Sequence, residues 1–328
     1  MMRAIQINEF SETAELRQVE VPEPKPGPGE VLVDVKAAGV NYADLLMCRG
    51  GYRGKRPLPF TPGFEAAGVV LAAGDGAGEW HAGQRVMGTV LRETCACYAE
   101  KARMPAWLLL PVPEQLSFEE AGAFPEVFIT AQLALHEFGH LAAGETVLIH
   151  AAAGGVGTAA VQVAKAAGAR VIGTASSDEK LRKVKELGAD VLINYATQDF
   201  LEEVKKQTDG KGVDLVLDSV GGEVFEKSIR CMRTLGRIVS YGTSAGKEGS
   251  VQPMALRHHA ITISGFSFGS LSVSNPEIVK RAMNAAQKLL ASSKVRPVVG
   301  HTLPLKEAKA AFDLFIKRGN FGKIVLVP

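Results

Sequence analysis

A glycine-rich turn near the middle of the chain is the segment best suited to bind an anionic ligand. Residues 150–157 read HAAAGGVG and stand between an apolar run, residues 147–150, and a segment with helical spacing. Gly154 would let the backbone approach a pyrophosphate, and Gly157 would let the following helix pack closely on the strand. The positive end of that helix would face the phosphate charge. The pattern Ala152-x-Gly154-x-x-Gly157 therefore predicts a dinucleotide site, with a tight unliganded turn as the alternative.

The end of the next predicted strand decides which dinucleotide would bind. An acid about 20 residues beyond the turn would bind both free ribose hydroxyls of NAD, but residues 173–177 read GTASS and contain none. Small side chains such as Ser176 leave room for a 2′-phosphate, and Lys180 would supply a positive charge one turn further on. The sequence therefore predicts NADPH in preference to NADH. The alternative is that Ser177 or Asp178 caps a helix and that Lys180 is a solvated surface residue.

Alternating strands and helices must position this turn. After about residue 144, strand-like runs recur every 20 to 25 residues or so with helical patterns between them, which is typical of a doubly wound parallel sheet. Earlier runs, to about residue 122, are short and separated by Pro and Gly, which indicates a β-rich, largely antiparallel module. In the tail, residues 261–264 are expected to extend the parallel sheet, and the segments that follow to return to the first module. The predicted fold class is therefore α/β.

Composition and charge exclude several classes of protein. The chain has 328 residues, 46% hydrophobic and 22% charged, which suggests about two globular domains and excludes a disordered or fibrous chain. Its net charge of +2 gives no broad field for nucleic acid or an anionic membrane. Four scattered Cys and the absence of a secretory signal at the first residues favour the cytoplasm. Residues 146–164 lack formal charge, but glycines and polar residues interrupt them, so no membrane span is predicted.

Six sequence motifs occur in order along almost the whole chain. They are AGVNYADL at 38–45, PGFEAAG at 62–68, the turn at 150–157, NY at 194–195, DSVGG at 218–222 and GKIVL at 322–326. Together they resemble the zinc-free quinone oxidoreductase branch of the medium-chain dehydrogenase/reductases, the zeta-crystallin-like family. The resemblance implies a GroES-like catalytic domain over residues 1–123, completed by residues 267–328. It also implies a Rossmann nucleotide-binding domain over residues 124–266.

The same resemblance implies a set of site residues. The implied cofactor contacts are Ala153, Gly154, Gly155, Val156, Gly157, Ser176, Lys180, Tyr195, Tyr241, Gly242, Phe266, Phe268, Asn320 and Lys323. The implied catalytic residues are Asn41, Tyr52 and Thr130; Asn41 would orient the acceptor, and Tyr52 stands where related enoyl-thioester reductases place a proton donor. Phe266 and Phe268 could equally be core residues of a strand, and Tyr52 an aromatic that closes the cleft.

The residues at the positions of zinc ligands differ from those of zinc-binding relatives. Those relatives carry a Cys near the position of Asn41, a His-Glu pair near residues 64 and 65, and a lobe with four Cys. Here residues 64–65 are Phe-Glu, and Cys95 and Cys97 form an isolated pair. We therefore predict no metal, and hydride transfer to an acceptor that is already electrophilic, such as a quinone.

Two alternative functions and an oligomeric state complete the sequence predictions. One alternative is an NADPH-dependent enone or enoyl-thioester reductase, in which a basic rim at Arg49, Arg53, Lys55 and Arg56 would meet a CoA phosphate. The other is an NADPH-binding crystallin-like protein with structural or RNA-binding duties. The apolar run at residues 261–264 would be exposed at a sheet edge in a monomer, which favours a homodimer.

Overall fold

The computed structural model describes residues 1–52 and 54–328, which fold into strands and helices along the whole length. The strands are β1 (Met2–Gln6), β2 (Arg17–Val21), β3 (Glu30–Val40), β4 (Glu65–Ala73), β5 (Arg85–Thr89), β6 (Lys101–Pro105), β7 (Leu109–Pro111), β8 (Thr146–Ile149), β9 (Arg170–Ala175), β10 (Val191–Asn194), β11 (Val213–Asp218), β12 (Met232–Ser240), β13 (Thr262–Gly265), β14 (Val299–Pro304) and β15 (Lys323–Val327). The helices are α1 (Tyr42–Cys48), α2 (Phe118–Gly122), α3 (Pro125–Gln132), α4 (Gly155–Ala166), α5 (Asp178–Glu186), α6 (Phe200–Gln207), α7 (Gly222–Ile229), α8 (Pro253–His259), α9 (Phe268–Ser274), α10 (Pro276–Ala291) and α11 (Ala308–Ile316).

The chain divides into two compact units. The first unit contains residues 1–127 and 297–328, and the second unit contains residues 128–296. From the sequence, the chain is expected to return to the first unit at residue 267. In the structure it returns at residue 297, thirty residues later. The physical reason is that α10 packs against a π-helical turn, Leu133–Glu137, where Arg281 Nη2 lies 2.6 Å from Glu137 Oε2.

The first unit is built on a seven-stranded sheet in the order β14-β15-β3-β4-β5-β7, with β6 paired to β3. Along β3, Val31, Val33 and Val35 are buried while the residues between them are partly exposed, which is the alternation expected of a strand with one face on the core. The closing strand β15 pairs antiparallel with β3. The expected return of the tail to the β-rich module is therefore confirmed.

The second unit is built on a six-stranded parallel sheet in the order β10-β9-β8-β11-β12-β13. Numbered from β8, this is the 3-2-1-4-5-6 order of the Rossmann fold. Val147, Leu148 and Ile149 of the central β8 are completely buried, as expected of a strand covered on both faces. The structure confirms the predicted α/β class and the extension of the sheet near residues 261–264, since β13 runs over Thr262–Gly265. The strand order reverses at β8, so the turn after β8 lies where Rossmann folds bind their ligands.

Candidate functional site

The glycine-rich turn joins β8 to α4, as the sequence predicts. Ala151 has a positive φ of 50°, the Ala152 N–H donates to Thr174 O at 2.9 Å, and the Gly154 N–H donates to Ala151 O at 2.9 Å. These bonds tie the turn to the end of β9 and fix its path. Ala153 is buried, whereas Gly154, Gly155 and Val156 are half-buried. Solvent thus reaches the start of α4, as well as Ala151 at the beginning of the turn.

Two glycines of the turn have different surroundings. A Cβ on Gly157 would lie 2.2 Å from Ala151 O and 2.7 Å from Ala152 Cα, so no side chain fits between α4 and the turn. A Cβ on Gly154 would meet only Ala151 O, at 3.3 Å. Gly157 therefore serves the packing of the helix, and Gly154 leaves one side of the turn open to a ligand.

The start of α4 offers a site for a phosphate. Gly154 is the N-cap residue, and among the described residues no side chain caps this end. The first N–H groups of a helix have no partner within the helix and carry its positive dipole end, so they bind anions. The uncapped helix and the open side of Gly154 fit the pyrophosphate of a dinucleotide.

The ends of β9 and β10 show how the predicted adenosine residues are placed. Ser177 caps α5, with its Oγ accepting the Lys180 N–H at 3.3 Å, as the capping alternative expects. Ser176 and Lys180 are half-buried, and Tyr195 is 42% exposed. The same alternative expects Lys180 to be a solvated surface residue, but its side chain is half-buried. The three residues lie beyond the ends of two neighbouring strands, and a 2′-phosphate there remains a prediction.

The ends of β12 and β13 carry a stack of aromatic rings. Phe266 stacks on Phe138 with ring centroids 4.9 Å apart, and on Tyr241 at 6.2 Å. Phe266 follows β13 and Phe268 begins α9, so the alternative that both are core residues of a strand is wrong. Burial raises the pKa of the Tyr241 hydroxyl well above its usual range, so this hydroxyl stays protonated.

Two residues beside these rings escaped the sequence analysis. Phe138 completes the stack from a turn that follows the π-helical segment, with no sequence pattern to single it out. The Ser267 Oγ is buried and has no hydrogen-bond partner among the described residues. A buried hydroxyl without a partner is costly unless a ligand or a water satisfies it, so Ser267 fits a ligand site.

Two other predicted site residues belong to the second unit. Gly242 follows Tyr241 of the ring stack, and a Cβ on Gly242 would lie 3.2 Å from Ser219 O. Thr130 lies on α3 and is 8% exposed.

In the first unit, Asn41 is held by a buried ion pair. Its Nδ2 donates to Glu65 Oε1 at 2.9 Å, and its Oδ1 accepts from Lys323 Nζ at 2.8 Å. Lys323 Nζ also donates to Glu65 Oε1 at 2.5 Å and to Val40 O at 2.9 Å. The other Glu65 oxygen accepts the Glu126 N–H at 2.9 Å. Both ends of the Asn41 amide are therefore fixed, and the second N–H of Nδ2 has no partner among the described residues.

The Lys323 ammonium is engaged by the first unit. Its side chain is 3% exposed, and its three ammonium protons go to three protein oxygens. A cofactor contact of Lys323, which the resemblance implies, stays a prediction. Asn320, in the preceding loop, is half-buried.

A second buried carboxyl lies beside Asn41. Asp44 is completely buried; its Oδ2 accepts from the Asn41 N–H at 2.8 Å and from the Tyr98 hydroxyl at 2.9 Å. Its Oδ1 has no partner among the described residues. Burial raises the pKa of Asp44 to about 7, against opposing hydrogen bonds from Asn41 and Tyr98. Burial and the nearby Glu65 carboxylate likewise raise the pKa of Glu126 to about 8.

We expect the Asp44→Asn substitution to change how stability depends on pH. The unfolded carboxyl loses its proton near pH 4 and the folded one near pH 7, so the folded protein binds more protons between these values. The free energy of unfolding of the wild type should fall by about 1.4 kcal/mol per pH unit in this range because of Asp44. The variant lacks this contribution, so its free energy of unfolding relative to that of the wild type should increase as the pH rises. Urea denaturation at several pH values would check this, and a constant difference between the two proteins would contradict it.

Tyr52 packs edge-on against Phe64, with ring centroids 5.9 Å apart, and is half-buried. This contact agrees with an aromatic that covers part of the first unit and is equally compatible with a proton donor. The two interpretations of Tyr52 therefore need an experiment.

The predicted basic rim is engaged by the first unit itself. Arg49 Nε donates to Glu12 O at 2.7 Å, Lys55 Nζ lies 5.4 Å from the Phe10 ring centroid, and Arg56 donates to Cys95 O at 3.1 Å. Arg53 lies outside the described residues. Each of the three described cations contacts a group of the first unit, and Lys55 is also exposed to solvent.

A structural metal site needs several cysteine, histidine or carboxylate side chains close together. Cys95 and Cys97 are buried, and burial raises the pKa of the Cys95 thiol to about 12. Over residues 1–52 and 54–328, no group of three or more His, Cys, Asp or Glu side chains is arranged to hold a metal ion. Within the same residues, none of the helices has both the length and the apolar character needed to cross a membrane.

Two family models match the chain. The alcohol dehydrogenase GroES-like domain matches residues 27–139, and the zinc-binding dehydrogenase domain matches residues 155–288. The chain is 36% identical to the rat (Rattus norvegicus) synaptic vesicle membrane protein VAT-1 homolog over 322 residues, which covers 93% of this chain and 78% of that protein. It is also 36% identical to the rat quinone oxidoreductase-like protein 2 over 305 residues, covering 92% of this chain and 86% of the relative.

A solved structure gives the same result. The structure of Escherichia coli quinone oxidoreductase complexed with NADPH has a TM-score of 0.91 and 32% identity, and the match covers 99% of this chain and 100% of that one. Both domains, their order and almost the whole length are thus shared with known oxidoreductases. The chain belongs to the medium-chain dehydrogenase/reductase family, in its quinone oxidoreductase branch.

Proposed function

We propose that this oxidoreductase binds NADPH and transfers hydride to a quinone without the help of a metal. The observation that carries the proposal is the uncapped start of α4 at the point where the strand order reverses. Anionic dinucleotides bind at this place in Rossmann folds. The similarity to an E. coli quinone oxidoreductase complexed with NADPH supports the same conclusion.

The ends of β9 and β10 favour NADPH over NADH. Residues 173–177 contain no carboxylate that could bind the ribose hydroxyls, while Ser176, Lys180 and Tyr195 offer a hydroxyl, a cation and an exposed phenol. A 2′-phosphate carries more negative charge than a ribose hydroxyl, so it gains more from Lys180.

Within this proposal the residues have separate duties. The turn and the start of α4 bind the pyrophosphate, and the Phe266 ring stack forms an apolar wall near the end of β13. The bound cofactor supplies the hydride. The remaining N–H of Asn41 orients the acceptor and donates to the oxygen that gains charge, held in place by Lys323 and Glu65. A quinone that accepts a hydride needs one more proton to become a hydroquinone, and Tyr52 is the proposed donor.

The Tyr52→Phe variant tests the donor. If Tyr52 supplies the proton, removal of its hydroxyl should slow turnover of quinones about 100-fold, in the usual range for a general acid. Tyr42→Phe is the matched control, because it removes another half-buried hydroxyl of the first unit. Steady-state kinetics with 1,4-benzoquinone would show the difference, and unchanged turnover would mean that Tyr52 serves only in packing against Phe64.

The proposed activity is tested by binding and by turnover. Titration calorimetry should show NADPH binding more tightly than NADH, and NADPH should reduce 1,4-benzoquinone or 9,10-phenanthrenequinone faster than it reduces crotonyl-CoA. Equal affinity for the two cofactors would reject the preference for NADPH. Faster reduction of crotonyl-CoA would replace the quinone with an enoyl thioester as the substrate.

We also propose that the active protein is a cytoplasmic homodimer. In the second unit β13 is one of the two edge strands of the sheet, and Ile263 is only partly buried there. An exposed apolar edge is stabilised when it pairs with its own copy across a two-fold axis. Sedimentation at micromolar concentration should show twice the chain mass of 34.8 kDa, and a 34.8 kDa particle would contradict the dimer.

A further inference from the structure

Asn194, the last residue of β10, holds a carboxylate near the end of β9. Its side-chain Nδ2 donates to Asp178 Oδ1 at 2.7 Å, and its Oδ1 accepts from the Ala196 N–H at 3.1 Å. The residue is 7% exposed. Turning the amide over would place its NH₂ group against the Ala196 N–H, so the donor toward Asp178 is fixed by the fold.

Asp178 is the carboxylate that matters for the choice of cofactor. It is the first residue of α5 and the first acid after β9. Asp178 and the next acid, Glu179, are both exposed, but Glu179 Oε1 lies 3.0 Å from Lys183 Nζ. A free carboxylate at the end of the second Rossmann strand accepts hydrogen bonds from the ribose hydroxyls of NAD and repels a 2′-phosphate.

The hydrogen bond directs Asp178 toward the outer strand. Asn194 pairs with Ala175, the last residue of β9, and β10 lies on the side of β9 away from β8. The phosphate-binding turn follows β8. Asp178 is therefore tied to an edge strand two positions from β8, while the end of β9 is left to the hydroxyl side chains and Lys180.

We propose that Asn194 determines the preference for NADPH by holding the Asp178 carboxylate over β10, away from the ribose. This inference rests on the proposed function, because it assigns a residue to the selectivity of the same nucleotide site. Asn194 acts through Asp178 and is a positioning residue.

The test compares the dissociation constants of NADPH and NADH by titration calorimetry. In Asn194→Ala the carboxylate is released, and NADPH should bind roughly 5- to 10-fold more weakly while NADH binds as well as before or better. The double variant Asn194→Ala/Asp178→Asn should regain the affinity for NADPH, because it lacks the carboxylate. If Asn194 only supported the shape of the turn, removal of the Asp178 carboxylate would not restore the affinity for NADPH.

Two further variants separate selectivity from folding. Gln198→Ala removes the side chain that accepts the Asn194 N–H at 2.9 Å. This variant disturbs the same turn without releasing Asp178. The ratio of its dissociation constants for NADPH and NADH should therefore equal that of the wild type. If Asn194→Ala does not fold, Asn194→Ser keeps a short acceptor for the Ala196 N–H but cannot reach Asp178. It should show the same loss of preference.

Each result has one meaning. Equal weakening of both cofactors in Asn194→Ala, or no recovery in the double variant, would overturn the role of Asn194 while leaving the proposed function intact. A wild-type protein that binds neither cofactor, or that prefers NADH, would overturn the proposed cofactor and this inference with it.

Discussion

Lys323→Met is expected to lower the free energy of unfolding of the first unit by about 3–5 kcal/mol, because it leaves the Glu65 carboxylate buried without its cation. Glu65 is completely buried and Lys323 is 3% exposed, so water cannot replace the lost ammonium. The substitution also removes the bonds to Asn41 Oδ1 and Val40 O. The change should therefore reduce quinone turnover as well as stability, since Asn41 loses its fixed orientation.

Tryptophan fluorescence during urea denaturation would measure this effect in the right unit, because Trp80 and Trp107 are the only tryptophans and both lie in the first unit. Lys36→Met is the control, since Lys36 pairs with Asp34 at the surface and such pairs contribute about 0–1 kcal/mol. The double variant Lys323→Met/Glu65→Gln removes both charges and should lose less than the two single variants together. If Lys323→Met lowered the free energy of unfolding no more than Lys36→Met does, the Lys323–Glu65 pair would not act as a buried ion pair.

Gly157→Ala and Gly154→Ala are expected to act on different properties, although each adds one methyl group to the same turn. At Gly157 the new Cβ would lie 2.2 Å from a backbone oxygen, and backbone cannot move aside without opening the turn. We expect a loss of about 3 kcal/mol or more in the stability of the second unit, at the upper end for overpacking, and loss of nucleotide binding with it.

At Gly154 the nearest atom to a Cβ would lie at 3.3 Å, and φ is −80°, so the fold should tolerate Ala within about 1 kcal/mol. The methyl group would stand on the side of the turn that we assign to the pyrophosphate, so NADPH affinity should still fall. Thermal denaturation combined with NADPH titration distinguishes the two variants. If both variants lost stability equally, the difference in packing between the two glycines would be refuted.

Much of the second unit could be predicted from sequence because its signals are local. Each strand is a short apolar run, as in residues 147–149, and each is followed by a helical pattern, so the alternation alone gives a parallel sheet. The chain then has few ways to connect such elements, and the observed strand order is the common one. The turn at residues 150–157 was predictable for the same reason, since its glycines and the helix after them are contiguous.

The buried network around Asn41 could not be predicted, because its members are far apart in sequence. Lys323 and Glu65 are 258 residues apart, and neither stands in a pattern that marks a buried charge. Burial of both side chains follows from β15 pairing with β3, a contact that no local propensity shows. The end of the second unit at residue 296 depends similarly on α10 packing against Leu133–Glu137, which a helical pattern does not reveal.

The pairing of β15 with β3 also has a consequence for the order in which the protein is made. The second unit is one continuous stretch, residues 128–296, and all of its strands are translated before β14 and β15. The sheet of the second unit can therefore form without waiting for β14 and β15, whereas the sheet of the first unit needs these two strands to be complete. Until they are present, the Ala38–Val40 end of β3 presents unpaired backbone groups, an exposed edge that invites pairing with another chain.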